Sequence, residues 1–246
     1  MVDTHCHLDK NSVINALNNM DGIIVISGND DKTNREVIEL VNKYERIYGT
    51  IGIHPTEYDD FNDESLKFIE DNLNNPKIVG IGEIGLDYHW GKDKSDIQKE
   101  WFIKQISLAD KYNLPIVIHS RDAYIDTYNI LKDYKQIKKL MHCYSYSLEC
   151  AYELMKINVK FGIGGVVTFK NADKLKNVVE KIDLSNLVLE TDSPYLSPEP
   201  FRGKVNEPKN VYYVAKKIAE IKNITLEEVI DNTTKNAYQF FELEGK

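Results

Sequence analysis

Short apolar runs alternate with longer amphipathic stretches along the whole chain. The runs cover 2–7, 22–27, 47–53, 78–83, 115–119, 137–143, 159–163 and 187–191. They are short and rich in β-branched residues, as strands buried on both faces are. Between them, apolar residues recur at helical spacing. Val13, Ala16, Leu17 and Met20 form one such stripe, and Val37, Leu40, Val41 and Tyr44 another. Leu148, Ala151, Tyr152 and Met155 repeat it, as do Leu175, Val178, Val179 and Ile182. Val211, Val214, Ala215 and Ile218 follow the last run. Ser95 with Gln98, and Thr225 with Glu228, have the spacing of capping boxes, which predicts helix starts at both places. Strands alternating with helices predict a parallel sheet. Eight such units in 246 residues predict a single α/β domain over 1–246, a closed (β/α)8 TIM barrel. An open, doubly wound sheet is the rival. The glycine cluster at 162–165 lacks the spacing of a dinucleotide fingerprint and does not favour it.

Composition narrows the function classes. Lys plus Arg number 31 and Asp plus Glu 39, a net charge of −8. A chain this acidic has no broad basic platform for coating nucleic acid, although bound cations could attract a phosphate locally. Three cysteines without paired spacing do not make a disulfide framework. No apolar run approaches the length of a membrane span, and residues 2–5 do not read as a secretion signal. The expectation is a cytoplasmic protein with no membrane contact and no obligate protein partner.

The histidines carry the chemistry. Of six, five fall at the downstream end of a predicted strand or just beyond it: His5, His7, His54, His119 and His142. In a barrel those ends converge on one face, where active sites are built. His5 and His7 share a strand face, with Cys6 on the other, so both imidazoles can reach one metal ion. Asp3 shares their face and could support them from behind. Glu83 ends an apolar run, where an unpaired carboxylate is costly. It reads either as one arm of a salt bridge in the barrel mouth or as a bridge between two cations. Asp87 reads as a turn residue. His119 and His142, on consecutive strands, suit a second metal. Asp192 reads as a turn or cap aspartate, or as a ligand that also accepts a proton from the attacking water. Glu190 shares its face. The three cysteines, Cys6, Cys143 and Cys150, read as small buried apolar residues. Imidazoles with carboxylates suit Zn, Mn, Mg, Ni or Co, and two such ions can activate water against a phosphate ester.

Read in order, several segments resemble the TatD-type deoxyribonucleases of the amidohydrolase superfamily. They are 3–7 (DTHCH), 52–55 (GIHP), 82–88 (GEIGLDY), 118–121 (IHSR), 142–145 (HCYS), 190–195 (ETDSPY) and 202–208 (RGKVNEP). The resemblance implies a metal-dependent hydrolase on a (β/α)8 barrel, commonly cleaving DNA from an end. It implies His5, His7, Glu83, His119, His142 and Asp192 as ligands of two divalent metal ions, and His54 beside the substrate phosphate. One departure stands out. Val205 occupies a position where a second basic residue is expected. Glu83 stands where other superfamily members bridge their metals with a carboxylated lysine.

The expected activity is hydrolysis of a phosphodiester, with DNA the foremost substrate and single-stranded ends preferred. Asp192 is the expected base and Glu83 the bridging carboxylate. His54, Arg121, Arg202 and Lys204 are candidates for phosphate contacts. Tyr88, Trp90 and Tyr195 are candidates for stacking on bases. Hydrolysis of an ester or amide, such as an aminoacyl link, is the second enzymatic reading. A non-catalytic, metal-stabilised binding protein is the third.

Overall fold

The computed structural model describes residues 1–57 and 62–243. Among these, eight strands form one sheet in the order of the sequence, each parallel to the next. They are β1 (Val2–Cys6), β2 (Ile23–Ser27), β3 (Ile47–Ile51), β4 (Ile78–Asp87), β5 (Ile116–Arg121), β6 (Lys139–Met141), β7 (Val159–Ile163) and β8 (Leu187–Leu189). The helices are α1 (Val13–Asn19), α2 (Asp31–Lys43), α3 (Asp63–Asn72), α4 (Tyr88–Gly91) and α5 (Ser95–Tyr112). The series continues with α6 (Tyr124–Leu131), α7 (Leu148–Met155), α8 (Asp173–Lys181), α9 (Val211–Lys222) and α10 (Leu226–Phe241). The architecture is the expected (β/α)8 TIM barrel, and the open sheet is ruled out by the way β8 meets β1.

That seam is closed by backbone and side chains together. Asp192 N–H donates to His5 O at 3.0 Å, and His7 N–H to Ser193 O at 2.7 Å. Thr4 Oγ1 donates to Leu189 O at 2.8 Å. The buried Asp3 carboxylate accepts from Thr191 N–H and from Thr191 Oγ1, at 2.9 and 2.6 Å. Asp3 therefore locks the last strand to the first, and its Oδ1 also accepts from His5 N–H at 3.4 Å.

Strand alternation sorts the apolar residues into two layers. Ile24, Ile26, Ile47, Ile51 and Ile81 pack outward against helix residues such as Val37, Leu40 and Val41. Val25, Val79, Val117, Leu140 and Val188 form a separate cluster with Val2, Ala237, Phe240, Phe241 and Leu243. We read this second cluster as the lower lumen of the barrel, plugged by the end of α10.

Several boundaries differ from the sequence pattern, and β4 runs on to Asp87, four residues past Glu83. The sixth run yields only a three-residue strand, because Cys143 takes a left-handed backbone with φ 45°. The eighth stops at Leu189, before Asp192, which is also left-handed at φ 56°. The capping box at Ser95 does not form: α5 begins at Ser95, with Lys94 as its N-cap and no side-chain cap. Gln98 turns away to accept from Asp87 N–H and to donate to Asp87 O and Gly91 O. At Thr225 the expected cap is present, with Glu228 N–H donating to Oγ1. Among the described residues no helix is long and apolar enough to cross a membrane.

Candidate metal centre

The strand ends bring the six predicted ligands into one cluster. His5 and Glu83 lie within β1 and β4 and are almost fully buried. His119 lies in β5, while His7, His142 and Asp192 sit just beyond their strands. Gly85 lets β4 pass this crowded point. Its φ is 144°, and a Cβ there would lie 1.9 Å from His119 O, a clash that only glycine avoids.

Glu83 is the hub. One carboxylate oxygen lies 2.5 Å from His142 Nε2 and 2.9 Å from His119 Nδ1. The other lies 3.4 Å from His5 Nε2 and 3.6 Å from His7 Nε2. Asp192 Oδ1 stands 3.4 Å from His7 Nε2 and 3.8 Å from His5 Nε2. Two compact donor sets result, His5 with His7 and Asp192, and His5 with Glu83 and His142. His54, Glu83 and His119 form a third set sharing the same carboxylate.

The outward nitrogens of His119, His7 and His5 are also held, and this fixes which nitrogen faces the cluster. His119 Nε2 meets Asp87 Oδ2 at 2.9 Å. A carboxylate only accepts, so Nε2 carries the proton and Nδ1 faces Glu83. His7 Nδ1 donates to Ser27 O at 3.1 Å, and His5 Nδ1 pairs with Ser27 Oγ at 3.0 Å. Ser27 Oγ in turn meets Thr50 Oγ1 at 2.8 Å. His142 Nδ1 lies 3.7 Å from Glu190, whose other contact is the Cys143 N–H at 2.6 Å. Asp87 thus does more than close a turn. Its Oδ1 caps α4 through His89 N–H and Trp90 N–H, while its Oδ2 holds His119. Ser27, which supports two ligands, was not singled out in the sequence. Its only signal was its place at the end of the second apolar run.

Electrostatics favour a cation here. Burial alone would raise the Glu83 carboxyl, yet the charge of His142 and hydrogen bonds from His119 and His142 hold it well below the usual range. Burial alone would lower His142, but Glu83 and Glu190 raise it well above the ordinary histidine value. His119 is raised against the same burial penalty by Asp87 and Glu83. Asp192, despite burial that favours the neutral acid, is held below its usual value by His7, His142 and His5. His5 Nε2 and His7 Nε2 face each other at 3.2 Å. With His7 Nδ1 committed as a donor, His7 offers a lone pair there. His119 contacts carboxylates through both nitrogens, so its inner side needs a second proton or a cation. The donor set therefore fits divalent metal ions, with the inner nitrogens and the Glu83 and Asp192 oxygens as the residues that would hold them.

The other candidates divide. His54 sits beside Glu83, its Nε2 3.6 Å from the carboxylate, and burial lowers its pKa to about 3. Its Nδ1 is held by Thr56, 2.7 Å from Oγ1 and 3.2 Å from the backbone nitrogen, which leaves Nε2 pointing at the cluster. Arg121 lines a cavity of about 320 Å³ together with His119, His142, Asp192 and neighbouring residues. Arg202 and Lys204 are not among that cavity's lining residues. Arg202 lies over the Phe169 ring at 4.4 Å and Lys204 is 5.9 Å from the Phe201 ring. Val205 is exposed. Of the aromatic candidates, Tyr88 is half-buried and donates to Asp126, whereas Trp90 and Tyr195 are exposed on the rim. Trp90 lies 5.9 Å from the Arg121 guanidinium, and Tyr195 6.1 Å from the His7 ring. Of the cysteines, only Cys6 is fully buried; Cys143 and Cys150 are half-exposed because they follow β6 into the loop and helix.

The comparisons agree with a metal-dependent hydrolase on this fold. The family model described as "TatD related DNase" matches residues 2–242. The metal-dependent hydrolase YabD of Bacillus subtilis (strain 168) is 45% identical, over 99% of each chain. The metal-dependent hydrolase MJ1582 of Methanocaldococcus jannaschii is 40% identical, covering 98% of this chain and 96% of that one. The crystal structure of YjjV, a TatD homologue from Escherichia coli K12, superposes with a TM-score of 0.92 at 28% identity, over 98% of both chains. The chain belongs to the TatD-related DNase family and, with these relatives, to its metal-dependent hydrolases.

Proposed function

We propose that the protein hydrolyses phosphodiester bonds of DNA, starting from a single-stranded end, with two divalent cations held by His5, His7, Glu83, His119, His142 and Asp192. The observation that carries this reading is the convergence of those ligand atoms on one bridging carboxylate, in an open mouth, with a carboxylate base beside it. When bound, such ions lower the pKa of water and neutralise charge on a phosphate.

The chain's own residues do the rest. Asp192 accepts the proton of the attacking water. Its depressed pKa keeps it ionised and ready as a base. Neutral His54, in the tautomer that carries its proton on Nε2, donates to a phosphate oxygen. Arg121, in the wall of the same cavity, binds the phosphate as a fixed cation. The preference for ends follows from shape and charge. The mouth is concave, the chain carries a net −8, and no basic platform offers a duplex a wide footing. A frayed strand can enter, with Trp90 and Tyr195 available for stacking.

The test compares chelated and metal-restored protein on a labelled single strand, a blunt duplex and a closed single-stranded circle, with an ester and an amide alongside. Rapid cutting of the circle would remove end dependence, and equal rates on duplex and single strand would remove the strand preference. Turnover of only the ester or amide would overturn the phosphodiester assignment. Elemental analysis at saturation should find two ions per chain. A ratio that never exceeds one would sink the two-metal form. Glu83→Gln should weaken metal retention.

A further inference from the structure

Beside the mouth lies a second pocket, of about 180 Å³, between the segment after β6 and the segment that leads into α8. Its walls are Cys143, Tyr144, Val166, Ala172 and Leu175, with Gly164 backing them and Ser145 and Lys174 at its edge. Cys143 and Ser145 also line the mouth cavity, so the two spaces share a wall. Tyr144 and Leu175 are buried, with Tyr144 edge-on against Phe161.

An apolar hollow of this size forfeits packing contacts that a larger side chain at Ala172 would supply. Its position is tied to the metal cluster. Cys143 directly follows His142, holds a left-handed backbone and is anchored by its N–H to Glu190, which also faces His142. The pocket wall is thus held in register with a metal ligand.

We propose that this pocket is a binding site for the terminal nucleobase of the strand being cleaved. This rests on the phosphodiesterase reading above and names a subsite for it. The space holds about six waters, which one planar base would displace. Val166 and Leu175 offer apolar surfaces for its face. The Ser145 hydroxyl and the Lys174 ammonium offer donors to the carbonyl and ring-nitrogen acceptors that bases carry on their edges. No acidic side chain is among the pocket's lining residues. The pocket shares the Cys143 and Ser145 wall with the mouth, so with the strand's end in the mouth the base that reaches it is the terminal one.

The experiment uses metal-loaded protein, wild type and Ala172→Phe, with Lys174→Ala as a second variant that adds no bulk. Two single strands are compared, one ending in a normal nucleoside and one in an abasic residue. Binding of thymidine monophosphate and of deoxyribose phosphate is measured in parallel. The wild type should favour the intact end about tenfold in kcat/KM, and thymidine monophosphate over deoxyribose phosphate by a similar factor. Ala172→Phe should erase both preferences and leave the abasic strand's rate unchanged, while Lys174→Ala should reduce them. Equal treatment of intact and abasic ends by the wild type, or of the two small phosphates, would overturn the pocket assignment. Equal slowing of both strands by Ala172→Phe would do the same. If no strand is cut yet thymidine monophosphate is still preferred, the DNA reading fails and the base pocket stands.

Discussion

Val117 and His119 lie two residues apart on β5, and by strand alternation both point into the barrel. Leu140 and His142 repeat the arrangement one strand on. The lower member of each pair belongs to a dry cluster with Val25, Val79, Val188 and Phe241. The upper member belongs to a cluster of imidazoles around Glu83. The same backbone geometry thus serves opposite ends. At the floor, burial of apolar surface stabilises the fold. At the mouth, burial opposes the charges of Glu83 and Asp192, and neighbouring charges and hydrogen bonds must compensate. Floor substitutions should therefore change stability with little effect on turnover, and mouth substitutions should do the reverse.

The sharpest separation comes from Asp192→Asn. The amide cannot take up the water's proton, so kcat at saturating metal should fall about 10²- to 10⁴-fold while the fold persists. Rates measured beside a circular-dichroism melt check both halves, and near-normal turnover would remove Asp192 as the base. The opposite pole is Leu140→Ala. This floor residue is fully buried, and its truncation should cost about 2–5 kcal/mol in urea unfolding, with kcat unchanged below the melting range.

A subtler break concerns Lys139, a buried lysine next to the floor residue Leu140. The Lys139 ammonium donates to Ile137 O and Ile157 O, and burial lowers its pKa from 10.5 to about 8. The folded chain then binds fewer protons than the unfolded chain between those two values, so stability rises with pH across that window. Lys139→Met should abolish this gain. From pH 8 to 10.5 the wild type should improve relative to the variant by up to about 3 kcal/mol. A flat difference in melting free energy across that range would show that the group titrates normally. Smallest is Asp87→Asn. An uncharged amide no longer commits the proton of His119 to Nε2, so metal should bind about 10- to 100-fold more weakly. Metal titration reads this directly, and unaltered affinity would reduce Asp87 to the cap of α4.

These contrasts also mark what could be read in advance. His5 and His7 were legible as a pair because strand alternation is local. Glu83, His119, His142 and Asp192 were legible as strand-end residues because eight apolar runs gave the barrel and the barrel gives one mouth. Asp3 was legible as buried and polar, but its partner Thr191 is 188 positions away. Ser27 gave almost no warning, since only the meeting of β1 with β2 sets its hydroxyl and carbonyl against two histidines. The capping spacing at Ser95 was read correctly as a pattern and overridden, because Gln98 satisfies the backbone around Asp87 instead.

What the sequence determined by itself, then, is the periodic order of strands and helices and the set of residue types at the strand ends. Both are properties of neighbours along the chain, where side-chain direction repeats every two or every 3.6 residues. The tertiary structure alone decided which nitrogen each histidine turns inward. It also put Arg121 in the cavity wall, where Arg202 and Lys204 are not, and left a hollow beside Cys143. Those outcomes depend on contacts between segments far apart in sequence, which no local periodicity encodes.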